Sequence, residues 1–370
     1  MKKNIVFISI VEVFIFIFFI VCKLETKWSG KVIRENEMQI IENKNKPIYD
    51  KDIFTLEEIF DIKSKNISQK LFINVMSSVA ADWNGNIYIL DTKSRKIFSF
   101  DSKGKFIREF GRKGEGPGEF QSPFSMGIIA DEEIFVHDIT NNRLSFFALN
   151  GSLSKEISTA REISVMNIKC DSNRNIYASS VLWGPEITIQ LKKYDKFFNE
   201  KFTIVEFKYK ISKDVRKLFQ APQLYFNIIN NDNIIWANYL KYQFIVINNK
   251  GNEIKKIEKE YEPVKITNED KEREIEKNRY SKGTKVNFPD CYPPFQYFII
   301  DEIGRIYVKI FEKVKDNRFK YEIFDSKGRY LARTILKVNP QYIKDNRMYC
   351  IVEDENGLNC LKVFRISWNQ

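Results

Sequence analysis

The feature that most restricts how this chain can fold is an internal repeat. Each copy has apolar runs separated by turns that are rich in Asp, Asn and Gly. Two copies agree closely, since Asp91 lies six residues before Ile97 and Asp138 lies six residues before Leu144. Looser copies begin near residues 168, 227, 298 and 344. We count six copies, and because one repeat cannot bury its own apolar face, we expect them to pack against one another.

The repeats predict stacked β-sheets. The second run of each copy, such as residues 87–91, is apolar on both faces, which is typical of a strand buried on both sides. Sheets packed face to face around an axis create that environment. We therefore predict an all-β, six-bladed propeller with four-stranded blades. The sixth copy ends after its third strand, and we predict that residues 53–62 supply the missing outer strand and close the ring.

Two further segments carry a family resemblance. The run Gly111 to Phe120 resembles the blade-linking signature of NHL-repeat propellers, and the second segment is Cys291-Tyr292-Pro293-Pro294-Phe295, followed by Asp301 to Val308. Over about residues 50–368 the chain is similar to the bacterial exported "6-bladed beta-propeller" proteins. The glycine-rich run lacks the spacing and the Gly-Lys-Ser/Thr of a phosphate loop. We expect its glycines to form turns and Phe120 to wedge between blades.

The N-terminus predicts export. Lys2 and Lys3 precede an apolar segment at residues 5–22, which as a helix would rise about 27 Å, close to the thickness of a bilayer core. We predict an uncleaved membrane anchor or signal segment at residues 1–22, with lipidation at Cys22 as the alternative. A polar tether is expected at residues 23–50, and the propeller at residues 51–370. The propeller would then lie in the cell envelope, outside the cytoplasmic membrane.

Composition limits the chemistry. The net charge of +11 is spread along the chain without a dense basic run, so nucleic-acid binding is not expected. The single histidine, His137, lies in an apolar run and is expected to be packed in a strand. One imidazole does not make a His-based zinc site.

No cofactor is indicated, although Ca²⁺ stays open as a ligand for converging carboxylates. Asp or Asn recurs near the ends of the inner strands, at Asp82, Asp131, Asp171, Asn231 and Asp301. That periodicity predicts turn-forming residues, because a metal site would break the symmetry of the repeats.

The cysteines are expected to be free thiols. Asn356-Gly357 predicts a two-residue hairpin turn, which would pair Cys350 with Val363 and Glu353 with Cys360. Cys350 and Cys360 would then lie on opposite faces of the sheet and would not form a disulfide.

Insertions mark one end of the propeller as its working face. The links between blades and between the second and third strands are long, notably residues 262–294, whereas the other turns are short. Thr267 and Asp270 predict a capped helix in that link. The candidate ligand-binding residues on this face are aromatic: Trp183, Tyr225, Tyr239, Tyr242 and Tyr292. The tether is expected to enter at the opposite, plain end, so that the working face points away from the membrane.

These observations favour a binding or scaffold module for a protein or carbohydrate ligand, attached to the membrane through residues 5–22. The alternative is a metal-dependent lyase or lactone hydrolase with its site in the central channel, as in propellers with related repeats. A sensor that signals through its anchor would need a partner helix.

Overall fold

The computed structural model describes residues 28–66, 71–160, 165–184, 186–210, 217–218, 223–278, 286–312 and 318–369. The predicted anchor at residues 5–22, with Cys22, lies outside these residues. In the part of the chain that the structure describes, no helix has the length and apolarity needed to cross a bilayer.

The described residues form six sheets around an axis, each an antiparallel blade of four strands with its first strand innermost. The inner strands of consecutive blades lie side by side, and the inner strand of blade 6 lies beside the inner strand of blade 1. From the axis outward, the strands of blades 1 to 3 are Met76–Ala81, Ile87–Asp91, Lys96–Phe100 and Phe106–Phe110; Pro123–Ile129, Glu133–Asp138, Arg143–Ala148 and Leu153–Ser158; Val165–Cys170, Ile176–Leu182, Glu186–Tyr194 and Glu200–Lys210. The strands of blades 4 to 6 are Leu224–Ile229, Asn233–Asn238, Gln243–Ile247 and Glu253–Lys259; Tyr297–Ile300, Ile306–Lys309, Phe319–Phe324 and Tyr330–Leu336; Pro340–Lys344, Arg347–Glu353, Asn359–Trp368 and Phe54–Lys63.

The outer strand of blade 6 comes from the start of the chain. Phe54–Lys63 pairs with the last strand, from Phe54 opposite Trp368 to Lys63 opposite Cys360. The turn Asn230–Asp232 joins the first two strands of blade 4. The links between blades contain the strand pairs Lys65–Asn66 with Leu71–Phe72, Arg112–Lys113 with Glu119–Phe120 and Lys217–Leu218 with Val286–Asn287, and the helix Asn268–Lys277. That helix carries the predicted capping box of Thr267 and Asp270.

The segment predicted as a polar tether is folded from Lys31 onward. Lys31–Glu35 and Met38–Asn43 form a hairpin whose second strand pairs in parallel with the outer strand of blade 4. Ile40 and Ile41 are 4% and 3% exposed, so the prediction of a tether was wrong here, because the hairpin joins the sheet of blade 4 and both isoleucines are buried. Beyond it, the backbone of Ile48 and Tyr49 bonds to the outer strand of blade 5 before the chain reaches blade 6.

The hairpin also changes the expected orientation. Lys31 faces Glu42, and Glu42 faces Glu258, near the end of blade 4 where the long link begins. The first described residues therefore lie at the linked end of blade 4, not at the plain end of blade 6. This position removes the reason to expect that the linked face points away from the membrane.

The second strands are buried as predicted, and every residue of Ile87–Asp91 and Glu133–Asp138 is buried. His137 is 2% exposed, and burial lowers the pKa of its imidazole to about 4. Phe120 is fully buried, its ring centroid 5.8 Å from that of Phe147 in blade 2, which confirms its structural role.

The repeated acidic residues form turns, as predicted. In blades 1, 3 and 5 an aspartate accepts the backbone N–H four residues later and the hydroxyl of a tyrosine six residues later. These residues are Asp82 with Asn86 and Tyr88, Asp171 with Asn175 and Tyr177, and Asp301 with Arg305 and Tyr307. In blades 2 and 4, Asp131 and Asn231 occupy turn positions with φ of 57° and 62°. The carboxylates of the three aspartates in blades 1, 3 and 5 therefore hold their own turns in place.

The cysteine register differs from the prediction. The turn runs from Asp354 to Leu358, so Cys350 faces Lys362 and Cys360 faces Val352. Both thiols then share one face of the sheet at diagonal positions, about 7–8 Å apart between Cα atoms, and do not bond. The described cysteines, Cys170, Cys291, Cys350 and Cys360, are free.

Candidate functional site between blades 4 and 5

Two adjoining cavities open where blades 4 and 5 meet at the linked end. The first has a volume of about 310 Å³ and the second about 190 Å³, and Tyr239 and Pro293 line both. The first cavity is walled by Tyr225, Tyr297 and Phe311, with the amides of Gln223 and Gln296. The second is walled by Tyr209, Tyr261, Tyr292, Leu240 and Asn287. Together they make an aromatic cleft, a term used below for these two cavities.

The link that follows the helix shapes this cleft. Tyr292 N–H donates to the Val264 carbonyl at 2.8 Å, which holds the two ends of the link side by side. Pro293 and Pro294 follow, and their rings fix the backbone as it turns towards blade 5. Phe295 is 1% exposed, and its ring lies 5.8 Å from Tyr242 and 6.1 Å from Tyr225. Phe295 therefore anchors the link in the core between the two blades.

Three of the five predicted site residues line the cleft: Tyr225, Tyr239 and Tyr292. Tyr242 lies behind its wall, 5% exposed, with its hydroxyl donating to Glu322. Trp183 follows the second strand of blade 3, is 65% exposed, and does not line either cavity. The structure thus brings three of the predicted aromatics together and places the other two elsewhere.

Sequence reasoning missed four of the aromatic residues that wall the cleft: Tyr209, Tyr261, Tyr297 and Phe311. Phe311 stacks on Tyr292 with ring centroids 4.7 Å apart and planes at 17°. Tyr297 donates its hydroxyl to Asn339 at 2.7 Å. Tyr297 begins an apolar strand that looks like ordinary core, so no local signal separates it from buried aromatics. Phe311 lies past the strand Ile306–Lys309, in the link between the second and third strands of blade 5, and its position in a long link was the signal that could have found it.

Burial affects the ionisation of several tyrosines of the cleft. Burial raises the pKa of Tyr225 to about 12, and burial together with the charge of Asp270 raises the pKa of Tyr292 to about 12. Burial and the neighbouring Tyr209 raise the pKa of Tyr239 further. The cleft therefore offers ring faces, amides and phenol hydroxyls, and the phenols of Tyr225, Tyr239 and Tyr292 keep their protons at ordinary pH.

A buried ionic cluster lies behind the cleft. Glu322 accepts hydrogen bonds from Arg333 at 2.7 Å and from Tyr330 at 3.1 Å, and the Lys259 ammonium lies 3.3 Å away. The side chains of Lys259 and Glu322 are each 1% exposed. Lys259 also donates to Asn45 at 2.7 Å, which connects the cluster to the chain that follows the hairpin. A glutamate within an apolar run that is buried on both faces needs such partners.

Within the described residues, no group of three or more His, Cys, Asp or Glu side chains is placed to hold a metal ion.

Some solved structures have a fold similar to that of this chain. A proposed exported protein of Bacteroides fragilis shares 13% identity, with a TM-score of 0.55, over 90% of this chain and 100% of that one. A member of the DUF4221 family from Bacteroides vulgatus shares 10% identity, with a TM-score of 0.53, over 85% of this chain and 99% of that one. A gluconolactonase from Xanthomonas campestris, with 8% identity and a TM-score of 0.48 over 85% of this chain and 90% of that one, is too distant to bear on function.

Among curated proteins, none is significantly similar to this chain in sequence. The sequence profile described as "6-bladed beta-propeller" matches residues 33–331, which is most of the chain and includes the first four blades and the first three strands of blade 5. The chain therefore belongs to the 6-bladed beta-propeller family.

Proposed function

We propose that this protein is a binding module whose ligand, an uncharged glycan or peptide segment, occupies the aromatic cleft between blades 4 and 5. One observation carries the proposal. Among the described residues that line the cleft none is charged, although 29% of the chain is Asp, Glu, Lys or Arg. Concave sites with aromatic walls and a few polar groups are typical of small-molecule and peptide recognition.

The residues that line the cleft determine which chemical groups of a ligand can bind there. Ring faces pack against apolar patches, and neutral phenols and amides donate and accept hydrogen bonds without an ionic partner. An anionic ligand would lose its hydration in the cleft and gain no countercharge from the described residues that line it. Neutral sugars and uncharged peptide segments match these groups.

We also propose that the propeller works in the cell envelope, held by residues 5–22 at the outer side of the cytoplasmic membrane. The apolar segment and its flanking lysines support this location. The name of the Bacteroides fragilis protein, which calls it exported, is in line with it. We further infer that the pairing of Phe54–Lys63 with the last strand closes the ring, because it joins the two ends of the repeat region.

Binding tests the proposal directly. Full-length protein in detergent is screened on an array of neutral and acidic oligosaccharides and uncharged peptides, and ligands found are titrated calorimetrically. We expect Tyr239→Ala and Tyr292→Ala to weaken binding about tenfold or more, as for a central aromatic contact. Phe197→Ala is the control, because Phe197 is 65% exposed on a plain-end turn of blade 3.

The dependence on salt separates the ligand classes. Affinity for a neutral ligand should change little between about 50 and 500 mM salt, since screening acts on charged groups. The proposal fails if neutral compounds do not bind. It also fails if the bound compounds are polyanions whose affinity falls with salt, or if the two tyrosine variants bind as the parent protein does.

A further inference from the structure

The hairpin of blade 4 ends in a free strand edge. Lys31–Glu35 is the outermost strand of a six-stranded sheet, and among the described residues no strand pairs with its other side. Only Ile33 is half-buried, and the other four residues are exposed, with Val32 at 51%. An edge of this kind exposes unpaired N–H and C=O groups that can accept another strand.

The hairpin register fixes which groups point outward. Glu35 and Met38 flank the two-residue turn, which makes them a hydrogen-bonded pair. Because hydrogen-bonded and non-hydrogen-bonded pairs alternate, Ile33 and Lys31 also direct their backbone groups towards the hairpin partner. The N–H and C=O of Val32 and Arg34 therefore face the open edge.

We propose that a second copy of this chain pairs antiparallel with this strand, with Ile33 opposite Ile33 of the second copy. The sequence is complementary to itself in this register. Lys31 stands opposite Glu35 at both ends, and Val32 stands opposite Arg34 as a hydrogen-bonded pair on either side of the centre. Lys31, Ile33 and Glu35 share one face of the strand, so an apolar contact lies between two ion pairs.

Other registers are less favourable. A slip of one residue places the outward backbone groups of one strand opposite groups that point into the hairpin of the other copy, so the ladder does not form. A slip of two residues separates Lys31 from Glu35 of the other copy, and a parallel arrangement in register places Lys31 opposite Lys31. Like charges directly opposite each other destabilise a strand pair. The alternation of hydrogen-bonded pairs and the two ion pairs thus favour a single register, and charge favours the antiparallel direction.

The arrangement also fits a membrane-attached chain. The two Lys31 residues would be about 14 Å apart along the strands, at four residues of about 3.4 Å each. The predicted anchor ends nine residues before Lys31, so both anchors can enter the same membrane. A five-residue strand pair buries less than the roughly 1,200 Å² of a stable interface. We therefore expect a dimer that is weak in solution and populated where membrane attachment raises the local concentration.

Cysteine cross-linking of full-length protein in membranes tests this. The Ile33 pair would be non-hydrogen-bonded, with Cα atoms about 4.5 Å apart, within the range of a disulfide. On mild oxidation, Ile33→Cys should give a dimer band on non-reducing gels well above that of the parent chain. Val32→Cys is the matched control, because two such residues would lie about 8 Å apart and would not bridge.

Charge reversal distinguishes this register from random collision. In the Ile33→Cys chain, Glu35→Lys should reduce the dimer band several-fold, because it faces Lys31, and adding Lys31→Glu should restore it. The restored dimer band is compared with the band of the Glu35→Lys chain. The reason is that Lys31→Glu also places a negative charge beside Glu42, which pairs with Lys31 at 3.0 Å within the hairpin. Thermal melting of each variant checks that the fold is kept. A cross-link no stronger than that of Val32→Cys, or one that is insensitive to both reversals, overturns the proposal.

Discussion

Lys309, in the second strand of blade 5, is a buried cation for which the described residues supply no anion. It is 8% exposed and lies between Tyr297 and Tyr321 of the neighbouring strands. Its ammonium is 4.1 Å from the ring centroid of Phe319, and among the described residues it forms neither an ion pair nor a hydrogen bond. Burial lowers the pKa of Lys309 from 10.5 to about 8. Lys309→Met removes this charge and keeps a side chain of similar shape.

The pKa gives the size of the expected effect. The difference between 10.5 and 8 is 2.5 pH units, which at 1.36 kcal/mol per unit is about 3 kcal/mol of folding free energy lost at pH 7. The contact between the ammonium and the Phe319 ring offsets about 1 kcal/mol of this loss. We therefore expect Lys309→Met to raise the unfolding free energy by about 2 kcal/mol at pH 7. The cost is full below pH 8 and fades as pH rises to 10.5, because the unfolded state then loses the same proton.

Chemical unfolding at pH 7 and pH 10.5 measures both parts. The control is Lys103→Met, at an exposed turn of blade 1, which should change stability by less than about 0.5 kcal/mol. The reasoning is refuted if Lys309→Met destabilises the protein at pH 7, or if its gain is the same at both pH values.

Three further predictions concern stability. Glu322→Gln should lower the unfolding free energy by about 3 kcal/mol, because the buried Lys259 loses its counterion. Asn43→Ala should cost about 2–4 kcal/mol and speed hydrogen exchange in the hairpin, because the Asn43 amide bonds to four groups of the hairpin region and of blades 4 and 5. The melting temperature should fall between pH 10 and 12, because burial raises the pKa of Tyr225 and Tyr292 to about 12 and the unfolded state ionises first.

Each of these has a contradicting result. A stability of Glu322→Gln equal to that of the parent would mean that Lys259 does not need Glu322. Unchanged hydrogen exchange in Asn43→Ala would mean that the hairpin is held by its isoleucines alone. A melting temperature that stays level up to pH 12 would mean that the two tyrosines ionise in the folded protein as they do in the unfolded chain.

Local sequence predicted the elements of the fold well. The turn aspartates were recognised because an Asx side chain closes its own turn, whatever surrounds it, as Asp82 does with Asn86. The second strands were recognised because burial on both faces removes polar residues from the run. The capping box of Thr267 and Asp270 is likewise set within four residues.

Prediction from local sequence failed at one turn and in one segment. Asp354 closes a longer turn than Asn356-Gly357 alone predicts, and this shifted the partner of Cys350 by one residue. In the hairpin, charged residues outnumber Ile40 and Ile41, so the segment looks like a solvated linker until the edge of blade 4 is present to cover both isoleucines.

The sequence by itself determined a repeat of short strands, its turns and the apolar material between sheets, because these depend on neighbours a few residues apart. Only the tertiary structure decided that Tyr225 and Tyr292 face one cleft while Trp183 does not. It also decided that Lys259 meets Glu322 and that residues 31–43 extend blade 4. These contacts join distant segments, and their geometry follows from how six twisted sheets pack around one axis, which no local pattern encodes.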